Sequence, residues 1–231
     1  MHVALVTVGD ELLSGDTANT NAAWLGRQLA QRGVTVERTT VVPDRLSDIA
    51  RVVNEHHAEY DAVIVTGGLG PTHDDKTIEG VAAAFGRDVI ESEQALQWLE
   101  DHGGYERADL ADGTGHVPEG SRVLPNHEGV APGCVVENCY VLPGVPAEMK
   151  RMFEEIADEF SGQQRHVVTV ETDEPESALL DRLATVQERY PVKVGSYPGE
   201  HVSVRFEGVD RDLVEDAASW FRERVEESAD G

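Results

Sequence analysis

The amino-acid sequence predicts an α/β fold: a doubly wound, mainly parallel sheet followed by a small α+β module of βαββα order. Three observations predict it. β-branched runs alternate with stretches of helical periodicity three times between residues 2 and 86, as expected for buried strands joined by crossover helices. Each of those strands is followed at once by an acid or a glycine turn, at Asp10, Asp44 and the segment Gly67–Asp75. Beyond residue 162 the pattern changes to strands of alternating character, which suits a sheet covered on one face. The expected domains are 1–162 and 166–231.

Residues 2–8 read as a first buried strand, and residues 9–16 as a loop. Asn19 and Asn21 stand before a helix carrying Leu25 and Leu29 that Gly33 stops; either asparagine would serve as a helix cap or as a grip on a polar ligand. Residues 34–42 form the second strand, ended by Pro43-Asp44, and a helix with Ile49, Val52 and Val53 on one face follows. The third strand, 62–66, breaks into Gly67-Gly68-Leu69-Gly70-Pro71, and a helix runs from about Ile78 to Phe85. Residues 91–103 read as a helix with Ser92 as cap, and residues 104–120 as a polar excursion. Cys134–Val136 and Cys139–Leu142 pair across a turn at Glu137-Asn138. This pairing keeps the two sulfurs from facing each other and leaves both cysteines reduced. Pro143-Gly144-Val145-Pro146 then opens a helix through Met149, Met152, Phe153 and Ile156. In the last domain, strands at 167–171, 192–197 and 202–206 accompany helices at 175–189 and 213–225.

The chain of 231 residues has 44 Asp and Glu against 19 Lys and Arg, a formal net charge of −25. Its only lysines are Lys76, Lys150 and Lys193. The acids are spread along the whole chain, so this is no acidic tail. A folded protein this acidic suits a salt-rich cytosol, where screening suppresses self-repulsion. The same charge argues against nucleic-acid binding, because no basic patch offsets phosphate repulsion. No apolar run reaches membrane-spanning length, and Met1 leads straight into a strand without a basic leader. A cytoplasmic protein of a halophile, without membrane association, is therefore expected.

The segment around Gly67 carries the chemistry. Strand, glycine turn and helix N-terminus form a phosphate-binding geometry, since glycines admit an anion close to the backbone and the first helical N–H groups point at it. Asp74 and Asp75 do not suit a plain anion cradle. They point instead to a divalent ion such as Mg²⁺ bridging carboxylate and phosphate, or, in the simpler reading, to acids that favour the helix N-terminus. The segment is neither a Walker loop, which needs Gly-Lys-Ser/Thr, nor a dinucleotide fingerprint, which needs a third glycine at a fixed spacing. In doubly wound sheets ligands bind beyond the carboxyl ends of the strands, where Asp10, Asp44 and Asp75 all lie. The helix start at Gly144–Ala147 supplies a second set of free N–H groups. Lys76 adds charge there or is solvated. His102, His116 and His127 are too scattered for a metal site.

The ordered set Gly9-Asp10-Glu11-Leu12-Leu13-x-Gly15, Asn19-x-Asn21, Thr66-Gly67-Gly68-Leu69-Gly70-Pro71-Thr72-x-Asp74-Asp75, Asn126-x-x-Gly129-x-Ala131-Pro132-Gly133 and Leu142-Pro143-Gly144-Val145-Pro146 resembles the CinA (competence/damage-inducible) family. More broadly it resembles molybdopterin-binding domains of the MoaB/MogA type. The resemblance covers about residues 1–160. It implies a ligand site of Gly67, Gly68, Gly70, Thr72, Thr77, Asn19, Asn21, Asn126, Gly144 and Pro146, with Asp75, Asp44 and Asp10 as catalytic acids and Asp74, Asp75 and Asp10 as metal ligands. It also implies a small-molecule nucleotide or pterin as partner and a homo-oligomer. The amidohydrolase half of many full-length members is absent from this sequence, so nicotinamide-nucleotide deamidation is not carried over. Asp75 and Thr77 match the broader family's Asp and Thr, while Asp74 stands where that family has Arg. This exchange disfavours molybdopterin adenylyl transfer in molybdenum cofactor biosynthesis and favours metal-dependent hydrolysis of a nucleotide pyrophosphate such as ADP-ribose. A non-catalytic module that binds molybdopterin or a nucleotide is the alternative.

The charge makes a direct prediction. Raising salt from about 0.1 M to about 1 M shortens the Debye length from ~10 Å to ~3 Å, so the thermal midpoint should rise over that range. A fall, followed by circular dichroism, would contradict self-repulsion as the dominant electrostatic term.

Overall fold

The computed structural model describes residues 1–70 and 75–225. The chain divides into two compact units, Met1–Gly162 and Gln163–Gly231. The described residues of the first unit form a six-stranded sheet in the order β2-β1-β3-β8-β7-β6. Strands β1 (His2–Val8), β2 (Thr35–Val42), β3 (Ala62–Thr66) and β8 (Cys139–Leu142) run parallel. Strands β7 (Gly133–Val136) and β6 (Arg122–Leu124) add antiparallel at one edge. The doubly wound, mainly parallel reading therefore holds.

The two faces of the sheet are written into the alternation of β1 and β3. Val6, Val8, Val63 and Val65 join one core with Ile49, Val52 and Val53 of helix α3 (Leu46–Glu59) and Val81 of helix α4 (Thr77–Ala84). Val3, Leu5, Ala62 and Ile64 join the other with Leu25 and Leu29 of helix α2 (Thr20–Gln31) and Met149, Met152, Phe153 and Ile156 of helix α6 (Pro146–Ile156). Every residue of β3 is buried. A strand covered on both faces has no polar side to display, which is why it reads as an unbroken apolar run. Helix α2 ends near Gly33, which adopts φ +73°, the left-handed conformation in which glycine meets no Cβ clash.

Several local elements depart from the sequence reading. Residues 10–14 form a short helix, α1 (Asp10–Ser14), where a loop was expected. Helix α5 (Glu93–Trp98) is capped by Ser92, and its end widens into a π-helical turn over Leu99–Gly103. Three short strands were unforeseen: β6, and the pair β4 (Val89–Glu91) and β5 (His116–Pro118), which run antiparallel to each other. The partners lie more than twenty residues apart, so no local turn signal announces them. Val136 pairs with Cys139 and Cys134 with Val141, and both thiols are free and buried. Burial pushes the Cys134 thiol up to about 12, which keeps it inert.

The second unit holds an antiparallel sheet, β10-β11-β9, built from β9 (His166–Thr172), β10 (Lys193–Tyr197) and β11 (Val202–Gly208). Val170, Val204 and Phe206 pack with Leu179 and Val186 of helix α7 (Glu176–Arg189) and with Val214, Ala217 and Phe221 of helix α8 (Arg211–Arg222). Helix α8 starts earlier than its apolar periodicity suggests, because the Asp210 carboxylate accepts the N–H groups of Asp212 (3.0 Å) and Leu213 (3.2 Å). Among the described residues no helix is long and apolar enough to cross a membrane.

Helices α3 and α4 approach closely because residue 80 is glycine. A Cβ there would lie 2.6 Å from Ile49 Cγ2. Helix propensity alone says that Gly80→Ala should stabilise the protein by up to about 1 kcal/mol. The packing predicts the opposite, a loss of about 1–3 kcal/mol in urea unfolding, partly rescued by Ile49→Val. A stabilised G80A protein would show that the two helices separate freely.

Candidate functional site

The carboxyl ends of β1, β3 and β8 are drawn together by glycines. Gly67 follows β3 at φ +98°, and a Cβ on it would sit 2.2 Å from the Val8 carbonyl oxygen. No other residue type fits this approach. The Gly67 N–H donates to the Leu142 carbonyl at the end of β8 (3.3 Å). Gly144 packs against the same point, its absent Cβ only 3.1 Å from Gly67 Cα. Thr77, the first residue of α4, is fully buried. Its hydroxyl donates to the Gly67 carbonyl (2.8 Å) and its N–H to the Gly68 carbonyl (3.2 Å). Thr77, expected at the ligand, holds the glycine turn onto the helix and does not line the cavity.

Above these strand ends lies a cavity of about 300 Å³, at the lower end of the range usual for small-molecule sites. Of the residues picked out by the sequence, Asn19, Asn21, Asp44, Gly67, Gly68, Asp75, Gly144 and Pro146 line it together. Asn19 caps α2: its side-chain oxygen accepts the Ala22 N–H (3.1 Å), and its amide donates to the Thr7 hydroxyl (2.9 Å). Asn21 lies inside the first turn of α2 and donates to the Gly144 carbonyl (2.7 Å), tying α2 to the turn before α6. Pro146 stands in the first turn of α6, where its missing N–H costs no helical hydrogen bond.

Other selected residues fall elsewhere. Gly70 faces a neighbouring cavity. Asn126 is buried and spends its side chain on its own loop and on α6, donating to Ala131 O (2.9 Å) and Glu148 Oε2 (2.7 Å) and accepting from the Glu128 N–H (3.2 Å). It is a loop clamp away from the cavity. The Asp10 side chain is exposed and does not line the cavity; its backbone N–H donates to Asp44 Oδ2 (2.9 Å). Its neighbour Glu11, also exposed, stands at the cavity in its place. Glu11 lines the cavity, with its carboxylate folded over Gly9, where a Cβ would stand 2.5 Å from Oε1. The acid pair after β1 was visible in the sequence, but which acid borders the cavity depends on a helix that the sequence reading took for a loop. Thr72 and Asp74 lie outside the described residues.

Asp44 is the electrostatic centre of the site. It does not cap α3, whose N-cap residue is Arg45, with no side-chain hydrogen bond. Burial raises the pKa of Asp44 above its ordinary value, the nearby acids Asp10, Glu11 and Asp75 add to the rise, and the Asp10 N–H opposes it. A cleft crowded with carboxylates repels a bare phosphate. Its oxygen donors suit a hard divalent cation, and Mg²⁺ typically takes one or two carboxylates and completes its shell with phosphate oxygens and water. Among the described residues no three His, Cys, Asp or Glu side chains gather into a metal cage, so Asp44 and Asp75 would hold such an ion only jointly with a ligand.

A raised carboxylate pKa makes the charged form of Asp44 unfavourable to folding. The penalty is complete at neutral pH and disappears as pH falls through the raised value to the ordinary one. Asp44→Asn keeps an acceptor for the Asp10 N–H and removes the charge. It should raise the thermal midpoint at pH 7, with the gain shrinking as pH falls toward the ordinary carboxylate range. An equal or lower midpoint at pH 7 would contradict the crowding of carboxylates.

Comparison with known proteins places this geometry. Residues 4–162 match the model of a family described as "Probable molybdopterin binding domain", and residues 164–229 match "FAD synthase, middle domain". A protein of Archaeoglobus fulgidus is 40% identical over 225 residues, covering 96% of this chain and 97% of that protein. A CinA-like protein of Citrifermentans bemidjiense is 36% identical over 97% of this chain, which spans only 58% of that relative. The crystal structure of the protein CinA, of unknown function, from Thermoplasma acidophilum superposes with a TM-score of 0.64 at 37% identity, covering 69% of this chain and 97% of that one. With its glycine turn, its acids at the strand ends and these relatives, the chain belongs to the molybdopterin-binding domain family and, within it, to the CinA-like proteins.

Proposed function

We propose that the cavity at the ends of β1, β3 and β8 binds a nucleotide pyrophosphate through a divalent cation and hydrolyses it, with ADP-ribose as the representative substrate. The observation that carries this reading is the juxtaposition of carboxylates with a glycine turn. Asp44, whose charge is disfavoured, and Asp75 both line the cavity beside Gly67 and Gly68.

A cation held by Asp44 and Asp75 would neutralise the phosphates and lower the pKa of a bound water. The chain's own groups do the rest. The Gly68 N–H and the free N–H groups of the first turn of α6 face the phosphates and favour the charge that develops on their oxygens. Asn19, fixed by two side-chain hydrogen bonds, and Asn21, fixed by one to the Gly144 carbonyl, border the organic part of the ligand. Glu11 lines the same cavity and accepts a proton from the attacking water. In the balanced reaction, water oxygen adds to one phosphorus, the bridging P–O bond breaks, and two phosphate monoesters leave with release of a proton.

The family description favours a second reading, in which the same pocket holds a molybdopterin or nucleotide without turnover.

AMP release from ADP-ribose, measured with Mg²⁺ and with EDTA in high salt, separates them. Metal-dependent AMP formation is expected, and Asp75→Ala should reduce it at least about 100-fold while leaving the circular dichroism spectrum unchanged. An active D75A protein overturns the assignment of Asp75. Absence of turnover by folded protein overturns the hydrolase reading, and calorimetric binding of a pterin without product then supports the second.

A further inference from the structure

Helices α7 and α8 cover one face of the small sheet, where Val170, Val204 and Phe206 pack with Val194 of β10. By alternation, Lys193, Gly195 and Tyr197 lie on the other face, opposite Glu207, Arg205 and Ser203 of β11. Lys193 is exposed there. Tyr197 is 56% exposed and folds back along its own strand, so that a Cβ on Gly195 would stand 3.0 Å from its hydroxyl. Arg165 and Arg205 both pair with Glu207 (3.2 and 3.5 Å). Bases are therefore not outnumbered at this edge, in a chain that has 44 acids against 19 bases.

The edge strand of a sheet pairs with another chain unless something blunts it. In the larger sheet β2 bulges at Glu37, where the register with β1 passes from Val36 to Arg38, and β6 has only three residues. The edges of the small sheet are β9 and β10. An antiparallel copy of β9 about its central Thr169 sets Val167 against Glu171, an apolar group against a charge. β10 keeps an unbroken register with β11 and has Gly195 at its centre. We infer that two copies of this chain pair antiparallel along β10 about a two-fold axis at Gly195, joining their three-stranded sheets into one. Directly opposite residues of such a pair face the same side of the sheet with Cβ atoms about 4.5–5.5 Å apart. Each Lys193 ammonium thus meets the ring of the partner's Tyr197, a cation–π contact made twice. Lysine at an edge repels chance partners, and this register is the one that gives it a ring. Gly195 meets its own symmetry mate, and its missing side chain leaves both rings room beside the axis.

Sedimentation of the full chain in about 2 M KCl, where long-range repulsion is screened, tests the pairing independently of any ligand. A dimer is expected at about 100 μM. Gly195→Cys stands opposite itself, at a Cα separation of about 4.5–5.5 Å, and should cross-link the dimer on mild oxidation. Cys134 and Cys139 are buried and do not compete. Lys193→Cys, which faces the tyrosine, should not cross-link. Tyr197→Lys sets lysine against lysine at both contacts and should weaken the dimer at least about tenfold. Adding Lys193→Glu makes both pairs attractive and should recover it. A monomer at that concentration, a Lys193→Cys cross-link as efficient as that of Gly195→Cys, a dimer unmoved by Tyr197→Lys, or a loss that Lys193→Glu does not recover overturns the pairing. Where a cysteine at 195 displaces Tyr197 and no cross-link forms, the charge exchange decides alone.

Discussion

Everything at the candidate site depends on one close approach. Val8, Gly67 and Gly144 bring the ends of β1, β3 and β8 to a point where even a single methyl group would collide with backbone. A turn packed this tightly cannot wander, and the buried Thr77 hydroxyl, bonded to the Gly67 carbonyl, fixes it to the start of α4. The N–H groups, the carboxylates and the amides that surround the cavity are therefore referenced to one rigid backbone junction. This is the arrangement that lets a site be preorganised, since the groups need not reorganise when charge develops.

The layers behind the junction explain why it can be so tight. β1 and β3 are buried on both faces, with α2 and α6 on one side and α3 and α4 on the other. Helices on both faces hold the strands in register. The contact between Gly80 and Ile49 on one face and the edge-on packing of Trp24 against Phe153 on the other leave little room for the sheet to slide. Asn21 reaches from α2 to the Gly144 carbonyl, so the helix layer also touches the site directly and couples packing to ligand geometry.

The electrostatics set a tension that a ligand must resolve. The chain carries a net charge of −25, and its cavity concentrates acids around Asp44, whose ionisation is disfavoured by burial and by its neighbours. Phosphate and carboxylate share a cleft only with a cation between them, or with enough salt to screen them.

The sequence alone determined the alternation of strands and helices, the parallel sheet, the small trailing module, the Cys134/Cys139 register and the edge of the sheet at which the acids lie. Periodicity and turn residues are local signals, and β-branched runs ending in glycine leave few alternatives. The five spaced motifs also sufficed to indicate the family. Tertiary structure alone decided which of these residues share a cavity. Glu11 and not Asp10 borders the cavity because a five-residue helix sets the direction of the pair. Asn126 and Thr77 turn their polar groups to the protein because loops fold back on them, and the β4–β5 ribbon forms between partners far apart in the chain. Side-chain direction at a strand end depends on one or two backbone dihedrals set by distant packing, and no local pattern of residue types records those angles.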